Sequence, residues 1–198
     1  MNQTELNMQK IIITGMLRST KRKGIESLIE WLDLNGYFES PASKKQHSAY
    51  VGGLAKHSLN VYRSLFELNT VLRLETPDDS MVITALLHDV CKVGSYQRTK
   101  ADDGWTSNPN KEKGHALLSV ERVKEHIELT ELEEKMILYH MGVYGLLEFD
   151  ERRGEYTLRN KGMANAWYHH PVVKVKSICD EIAGLQEKAE EANAKSEG

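Results

Sequence analysis

Cysteine is nearly missing from this sequence: Cys91 and Cys179 are its only two, and they form no CxxC motif. A disulfide framework is therefore not expected. With no basic-then-apolar leader in Met1-Asn2-Gln3-Thr4-Glu5, the expected location is the reducing cytoplasm. Aromatic residues make up 7 %, which points to an aliphatic core. Long hydrophobic runs are absent. Ile11-Ile12-Ile13 is far too short to span a bilayer, so no membrane partner is expected. Neither sign of charge prevails. A formal net charge of -3 offers no footprint for wrapping long nucleic acid, although a local basic patch around an acidic substrate is compatible with it. There is no internal repeat.

What is present is the composition of a globular protein, 40 % apolar and 28 % charged, at a length that suits one domain with terminal additions. The expected organisation is a helical lead-in over residues 1–48 packed on the core, a main domain over 49–185, and a charged tail over 186–198. Glu5 to Leu17 reads as a short helix. Ile25, Leu28, Ile29 and Leu32 recur at helical spacing, and that helix stops at Asn35-Gly36. Leu54, Val61, Leu65 and Leu68 form the stripe of a longer helix from Gly53 to Leu72.

The next helix has Thr76 as its expected cap, Pro77 at its first position and Asp79 as a capping-box carboxylate. Its body, Met81 to Leu87, is apolar all round, so it should be central to the fold. Tyr96 and Trp105 flank Asp102-Asp103-Gly104, which predicts a small β-hairpin. Helices resume over 114–127 and 130–140, the second opened by Thr130 and Glu133. Glu148-Phe149 and Tyr156-Thr157-Leu158 flank Arg153-Gly154 as a second hairpin. A final helix runs from Pro171 through Asp180, followed beyond Gln186 by a solvated helix end or disordered tail. The fold class is all-α with β-hairpin insertions.

Histidines and carboxylates fall on inward faces. His57 sits three residues after Leu54 and four before Val61; His88 and Asp89 end the most apolar helix; His140 follows Met136 and Ile137. Asp180 lies seven after Val173 and three before Ala183, and His115 starts a helix whose Leu118 faces the same way. A single buried histidine is most simply a hydrogen-bonded core residue. Two carboxylates directed into one core are different, because they stay ionised only beside a cation or donors, and several imidazoles aimed at them make a divalent metal the simplest compensation. His47 and His126 have no supporting pattern and read as surface residues. His169-His170, before Pro171, reads as a helix-start feature.

The order His57, His88-Asp89, Asp180 resembles the H…HD…D signature of the HD superfamily. So do the surrounding segments Gly52-Gly53-Leu54-Ala55-Lys56-His57-Ser58-Leu59 and Ala85-Leu86-Leu87-His88-Asp89-Val90-Cys91-Lys92. His115 and His140 extend the pattern to that of binuclear members, and the likeness covers about Ala49 to Ala183. The chain is also similar to the HD part of a bacterial 3′–5′ exoribonuclease family, but no OB-type RNA-binding domain is visible.

The resemblance implies an HD-domain helical bundle over 49–185 and one or two divalent ions (Mn, Fe, Ni, Co, Zn or Mg). His57, His88, Asp89 and Asp180 would hold one ion. Asp89, His115 and His140 would hold a second, with Asp89 bridging. Asp89 and Lys92 become the catalytic pair. Lys92 resembles the lysine of HD-x-x-K motifs, placed to bind phosphate or assist the leaving group, against the plainer reading of a solvated helix end. Lys113 and Arg153, with Lys111 and Arg152, are candidates to read a nucleotide's other phosphates. Cys91 stands where HD-GYP-type enzymes have glycine, His140-Met141 replaces their paired histidines, and no GYP motif occurs, so cyclic-di-GMP activity does not follow.

The reading favoured by this pattern is hydrolysis of a phosphoester in a small phosphorylated substrate, a nucleotide or nucleotide derivative. The alternatives are an HD-type di-iron oxygenase acting on a small polyol or phosphonate, and a non-catalytic HD module that binds nucleotide. Oligomeric state is open.

Overall fold

Asn2 opens the first helix. Its side chain accepts from Glu5 N at 3.0 Å while the Glu5 carboxylate accepts from Asn2 N at 2.7 Å, so the cap is reciprocal for α1 (Gln3–Ser19). This is a computed structural model, and it describes residues 2–101, 104–112, 114–142, 147–150, 155–158 and 160–196, with backbone alone for 147–150, 155–158 and 195. α2 (Ile25–Leu34) buries the expected stripe of Ile25, Leu28, Ile29 and Leu32, and Gly36 beyond it takes φ +78°, a value that favours glycine.

α3 (Gly53–Leu72) and α4 (Asp78–Leu87) form the centre. Every residue of α4 from Ser80 to Leu87 is buried, as an apolar-all-round helix requires. Its start differs from expectation. Pro77 is the residue before the helix, not its first position, and the Thr76 hydroxyl caps nothing; the Thr76 amide donates instead to Asn69 Oδ1 at 3.1 Å. Asp79 does not reach back to Thr76: its Oδ1 accepts from Ser80 N at 2.9 Å and its Oδ2 from Arg22. Arg22 Nη2 lies 2.7 Å from Asp79 Oδ2 and 2.5 Å from Glu133 Oε1, and Glu133, fully buried, also accepts from Ser80 Oγ at 2.7 Å. This network ties the segment after α1 to the helices of the main bundle.

A short 3-10 turn (Val90–Lys92) follows α4, then the hairpin of β1 (Tyr96–Arg98) and β2 (Trp105–Ser107), in which Gln97 faces Thr106. The expected turn residues Asp102 and Asp103 lie outside the described residues. α5 (His115–Lys124) and α6 (Glu131–Leu138) come next, the latter opened by the foreseen Thr130–Glu133 capping box. β3 (Leu147–Asp150) and β4 (Glu155–Leu158) pair with Phe149 opposite Tyr156, the second expected hairpin. α7 (Lys161–His169) was not foreseen. α8 (Pro171–Ser196) begins where expected but is far longer: the stretch beyond Gln186 continues the same helix, and Glu187 within it is buried.

The result is an all-α bundle carrying two small hairpins. Its core has two connected parts. Ile13, Leu17, Leu28, Leu32 and Phe38 pack on Leu54, Leu86 and Val90. Val61, Leu65, Met81 and Ala85 pack on Met136, Val173, Cys179 and Ala183 of the later helices. Each fully buried leucine contributes about 1.5–3 kcal/mol, so the largely aliphatic composition suffices. Among the described residues no helix is long and apolar enough to cross a membrane.

Candidate metal centre

α4 and α6 end in the same way. His88 Nδ1 donates to Ala85 O at 2.9 Å, and His140 Nδ1 donates to Ile137 O at 2.7 Å; each ring caps the carbonyl three residues before it. A carbonyl can only accept, so both Nδ1 atoms carry the proton, and the tautomer this selects in a neutral ring turns the Nε2 lone pair to the centre. Tyr37 Oη donates to Leu86 O at 2.7 Å, which satisfies another carbonyl at this end of α4 and fixes the chain just before His88. The negative ends of both helices therefore converge where a cation would be stabilised.

Asp89 divides its oxygens between two sides. Oδ2 lies 3.5 Å from His88 Nε2 and 2.5 Å from Lys92 Nζ, whereas Oδ1 lies 3.2 Å from His115 Nε2 and 3.4 Å from His140 Nε2. Asp180, from α8, places Oδ1 2.9 Å from His57 Nε2 and 3.5 Å from His88 Nε2. All six residues singled out in the sequence as ligands thus come together: five line one cleft, and His88, fully buried, lies behind it against Asp89 and Asp180. His88 Nε2, Asp89 Oδ1 and His140 Nε2 are buried and without hydrogen-bond partners. Orphaned polar atoms cost about 1–3 kcal/mol each, and lone pairs aimed at one another repel. A cation among them removes both penalties. Three groups, His47–His57–Glu187, His57–His88–Asp89 and Asp89–His115–His140, have ligand atoms within 4.8 Å of one another; the last two are built from the expected ligands and could each hold an ion.

The electrostatics fit that chemistry. Burial, reinforced by the Lys176 charge, pushes His88 down to about 4, so the ring is neutral at pH 7. Burial would raise Asp89, but the Lys92 ammonium beside it holds its carboxyl well below the usual range. Asp180 is likewise held well below the usual range against its burial, by the Lys176 ammonium and by the hydrogen bond from His57. Burial lowers His57, yet its bonds to Asp180 and Glu187 outweigh that and carry it up to about 9. Cys91 Sγ sits 2.9 Å from His115 Nδ1, and burial pushes this thiol up to about 12, so it stays protonated.

Several participants escaped the sequence reading. Glu187, 2 % exposed, accepts from His57 Nδ1 at 3.2 Å, Asn60 Nδ2 at 2.9 Å, His47 Nδ1 at 2.8 Å and Ser48 Oγ at 2.8 Å. A carboxylate on Nδ1 orients the ring and leaves Nε2 facing Asp180. The signal was available: Glu187 lies seven residues after Asp180, on the same helical face. His47, expected at the surface, is half-buried against Glu187, its ring 4.9 Å from that of His57. Gly53 permits this approach, because a Cβ there would stand 1.9 Å from Ser48 O. Lys176, also on α8, is fully buried and its Nζ has no partner.

The centre lines a cleft of about 1050 Å³ that also takes in Lys92 and Lys111. Lys92 is no solvated helix end: its side chain is 15 % exposed and paired with Asp89. Lys113, Arg152 and Arg153 lie outside the described residues. His126 is half-buried away from the cleft and shares a hydrogen bond with Ser27. His169 and His170 mark the joint between α7 and α8, and neither lines the cleft.

The family model of the HD domain matches residues 54–183, well over half of the chain. The protein belongs to the HD domain family, whose members are in general metal-dependent hydrolases. Neither the search of curated proteins nor that of solved structures finds a match.

Proposed function

We propose that this protein is a metal-dependent phosphohydrolase that cleaves a phosphoester of a nucleotide or nucleotide-derived small molecule. The observation that carries the reading is the cluster of buried, unpartnered ligand atoms, His88 Nε2, Asp89 Oδ1 and His140 Nε2, with Asp180 Oδ1 3.5 Å from His88 Nε2. His57, His88, Asp89 and Asp180 would hold one ion; Asp89, His115 and His140 would hold another. A divalent ion held there supplies Lewis acidity and lowers the pKa of a bound water.

The chain's own groups do the rest. The carbonyls of Ala85 and Ile137 hold the Nδ1–H of His88 and His140 and so aim Nε2 of each ring at the centre. Glu187 holds the His57 ring from behind. Lys92, paired to Asp89 at 2.5 Å and open to the cleft, keeps its ammonium charged: burial opposes this, but Asp89 raises it above the ordinary lysine range. That charge can meet a phosphoryl oxygen or hand a proton to the leaving oxygen. The nucleotide preference rests on the resemblance to nucleotide-acting HD proteins, including an exoribonuclease HD part; a small substrate suits the net charge of -3 better than long RNA.

The test is elemental analysis of freshly purified protein, followed by a phosphate-release screen over a nucleotide panel on the same sample. Divalent metal with phosphate release, abolished by Asp89→Asn in a folded variant, is the expected result. Turnover retained by Asp89→Asn would sink the site. Two irons per chain, an oxygen-sensitive spectrum and no phosphate release would replace hydrolysis by oxygenation.

A further inference from the structure

The cleft has a rim that the metal chemistry leaves unused. Lys44, Lys45, Lys111 and Lys188 line it, all exposed and all without an ion pair among the described residues. Glu112 on the same rim is taken up by Arg122 at 3.1 Å, which leaves Glu181 as the acidic group opposing them. In a chain whose net charge is -3, an opening lined by five lysines (these four and Lys92) and four carboxylates (Asp89, Glu112, Asp180 and Glu181), two of the carboxylates already paired with Lys92 and Arg122, is locally basic at its rim. Concave walls focus that potential onto whatever enters.

Three of the four are held together by the helix that carries Asp180. The segment bearing Lys44 and Lys45 is closed on itself: Ser43 Oγ accepts from Gln46 N at 2.9 Å and His47 N at 3.1 Å, and Ala42 N donates to Ser48 O at 3.0 Å. It is fastened to α8 by His47 and Ser48 on Glu187 and by Ser48 N, which donates to Glu191 Oε1 at 2.7 Å. Lys188 directly follows Glu187 on that helix. The two lysines of the loop and the lysine of the helix are therefore brought to one side of the opening by a buried network. Lys92 stands apart from them at the metal centre, paired to Asp89.

We infer that Lys44, Lys45 and Lys188 form a second anion subsite, which takes a phosphate group set apart from the scissile one. The substrate class is then a phosphoester with two separated phosphates, not a monophosphate. The inference rests on the phosphohydrolase reading for the role of the first phosphate, but its test does not require turnover. Adenosine 3′,5′-bisphosphate and adenosine 5′-monophosphate are titrated calorimetrically into full-length protein stripped of metal by chelator, at low ionic strength where exposed charges act most strongly.

Wild-type protein should bind the bisphosphate at least about tenfold more tightly than the monophosphate. Lys44→Gln/Lys45→Gln/Lys188→Gln should erase that preference, the loss falling on the bisphosphate. The substituted side chains are exposed, so melting temperature should stay close to wild type and separates lost binding from lost fold. No preference in the wild type, or an undiminished preference in the triple variant, overturns the subsite. A preference that the triple variant abolishes, in a protein that releases no phosphate from any nucleotide, upholds the subsite and refutes hydrolysis instead.

Discussion

Replacing Lys176 by methionine should make the metal-free protein more stable, and the gain should depend on pH in a defined way. Lys176 is 0 % exposed and its Nζ has no hydrogen-bond partner. Burial lowers its pKa from 10.5 to about 8, with Asp180 and Asp89 offsetting only part of the penalty. A difference of that size between folded and unfolded chains corresponds to about 3 kcal/mol. Below pH 8 the lysine is protonated in both states and the folded state bears the whole penalty. Between pH 8 and 10.5 the native lysine has lost its proton while the unfolded chain still holds one, so wild-type stability rises with pH across that window.

Methionine has similar length and no charge, so Lys176→Met should gain about 3 kcal/mol at pH 7, or roughly 6–12 °C in melting temperature for a chain of this size. At pH 10 the gain should shrink to below about 1 kcal/mol. Urea unfolding of chelator-treated protein at the two pH values reads both numbers. A variant no more stable than wild type at pH 7, or one whose advantage is the same at pH 10, would refute the reasoning.

Other perturbations test the surrounding network. Glu187→Ala leaves the His57, His47 and Asn60 donors without their acceptor and should weaken divalent-metal binding about 10–100-fold; Glu187→Gln, which can still accept from His57, should lose less, and a competition titration against a chelating dye showing equal losses, or none, would count against the orienting role. Arg22→Met removes the counter-charge of fully buried Glu133 and should cost about 3–5 kcal/mol in urea unfolding; a cost near zero would mean that Ser80 and Thr130 hold that carboxylate unaided. Gly53→Ala places a methyl group 1.9 Å from Ser48 O, so the His47–Ser48 segment must lift off α3; both melting temperature and metal affinity should fall, and an unchanged pair would refute the close fit.

The parts legible in the sequence were those set by local periodicity. The stripe of α2, the apolar body of α4, the Thr130–Glu133 cap and the inward direction of His57, His140 and Asp180 all follow from spacing along a helix. Thr76 misled because Asn69, from the preceding helix, takes its amide, and Asp79 because a distant arginine claims it: tertiary partners overrode a local cap. α7 escaped notice because its apolar residues, Met163 and Ala166 among them, are few and short-spaced. Glu187 was lost for a different reason. Glutamate in an Ala-, Glu- and Lys-rich stretch looks solvated, and only the meeting of α3, α8 and the 42–48 segment gives it four donors.

α8 has a mechanical meaning that its chemistry does not express. It is one rod of 26 residues, about 39 Å long, and Lys176, Asp180, Glu187 and Glu191 lie along it at intervals of four, seven and four residues, which keeps them close to one line. A metal-ligand candidate, the group that aims another ligand, and the latch on the lysine-bearing loop therefore share a single rotational phase. Any twist or slide of the rod moves all of them together. One residue inserted between Asp180 and Glu187 would turn everything beyond it by about 100° and disconnect the cleft's rim from its floor without touching either.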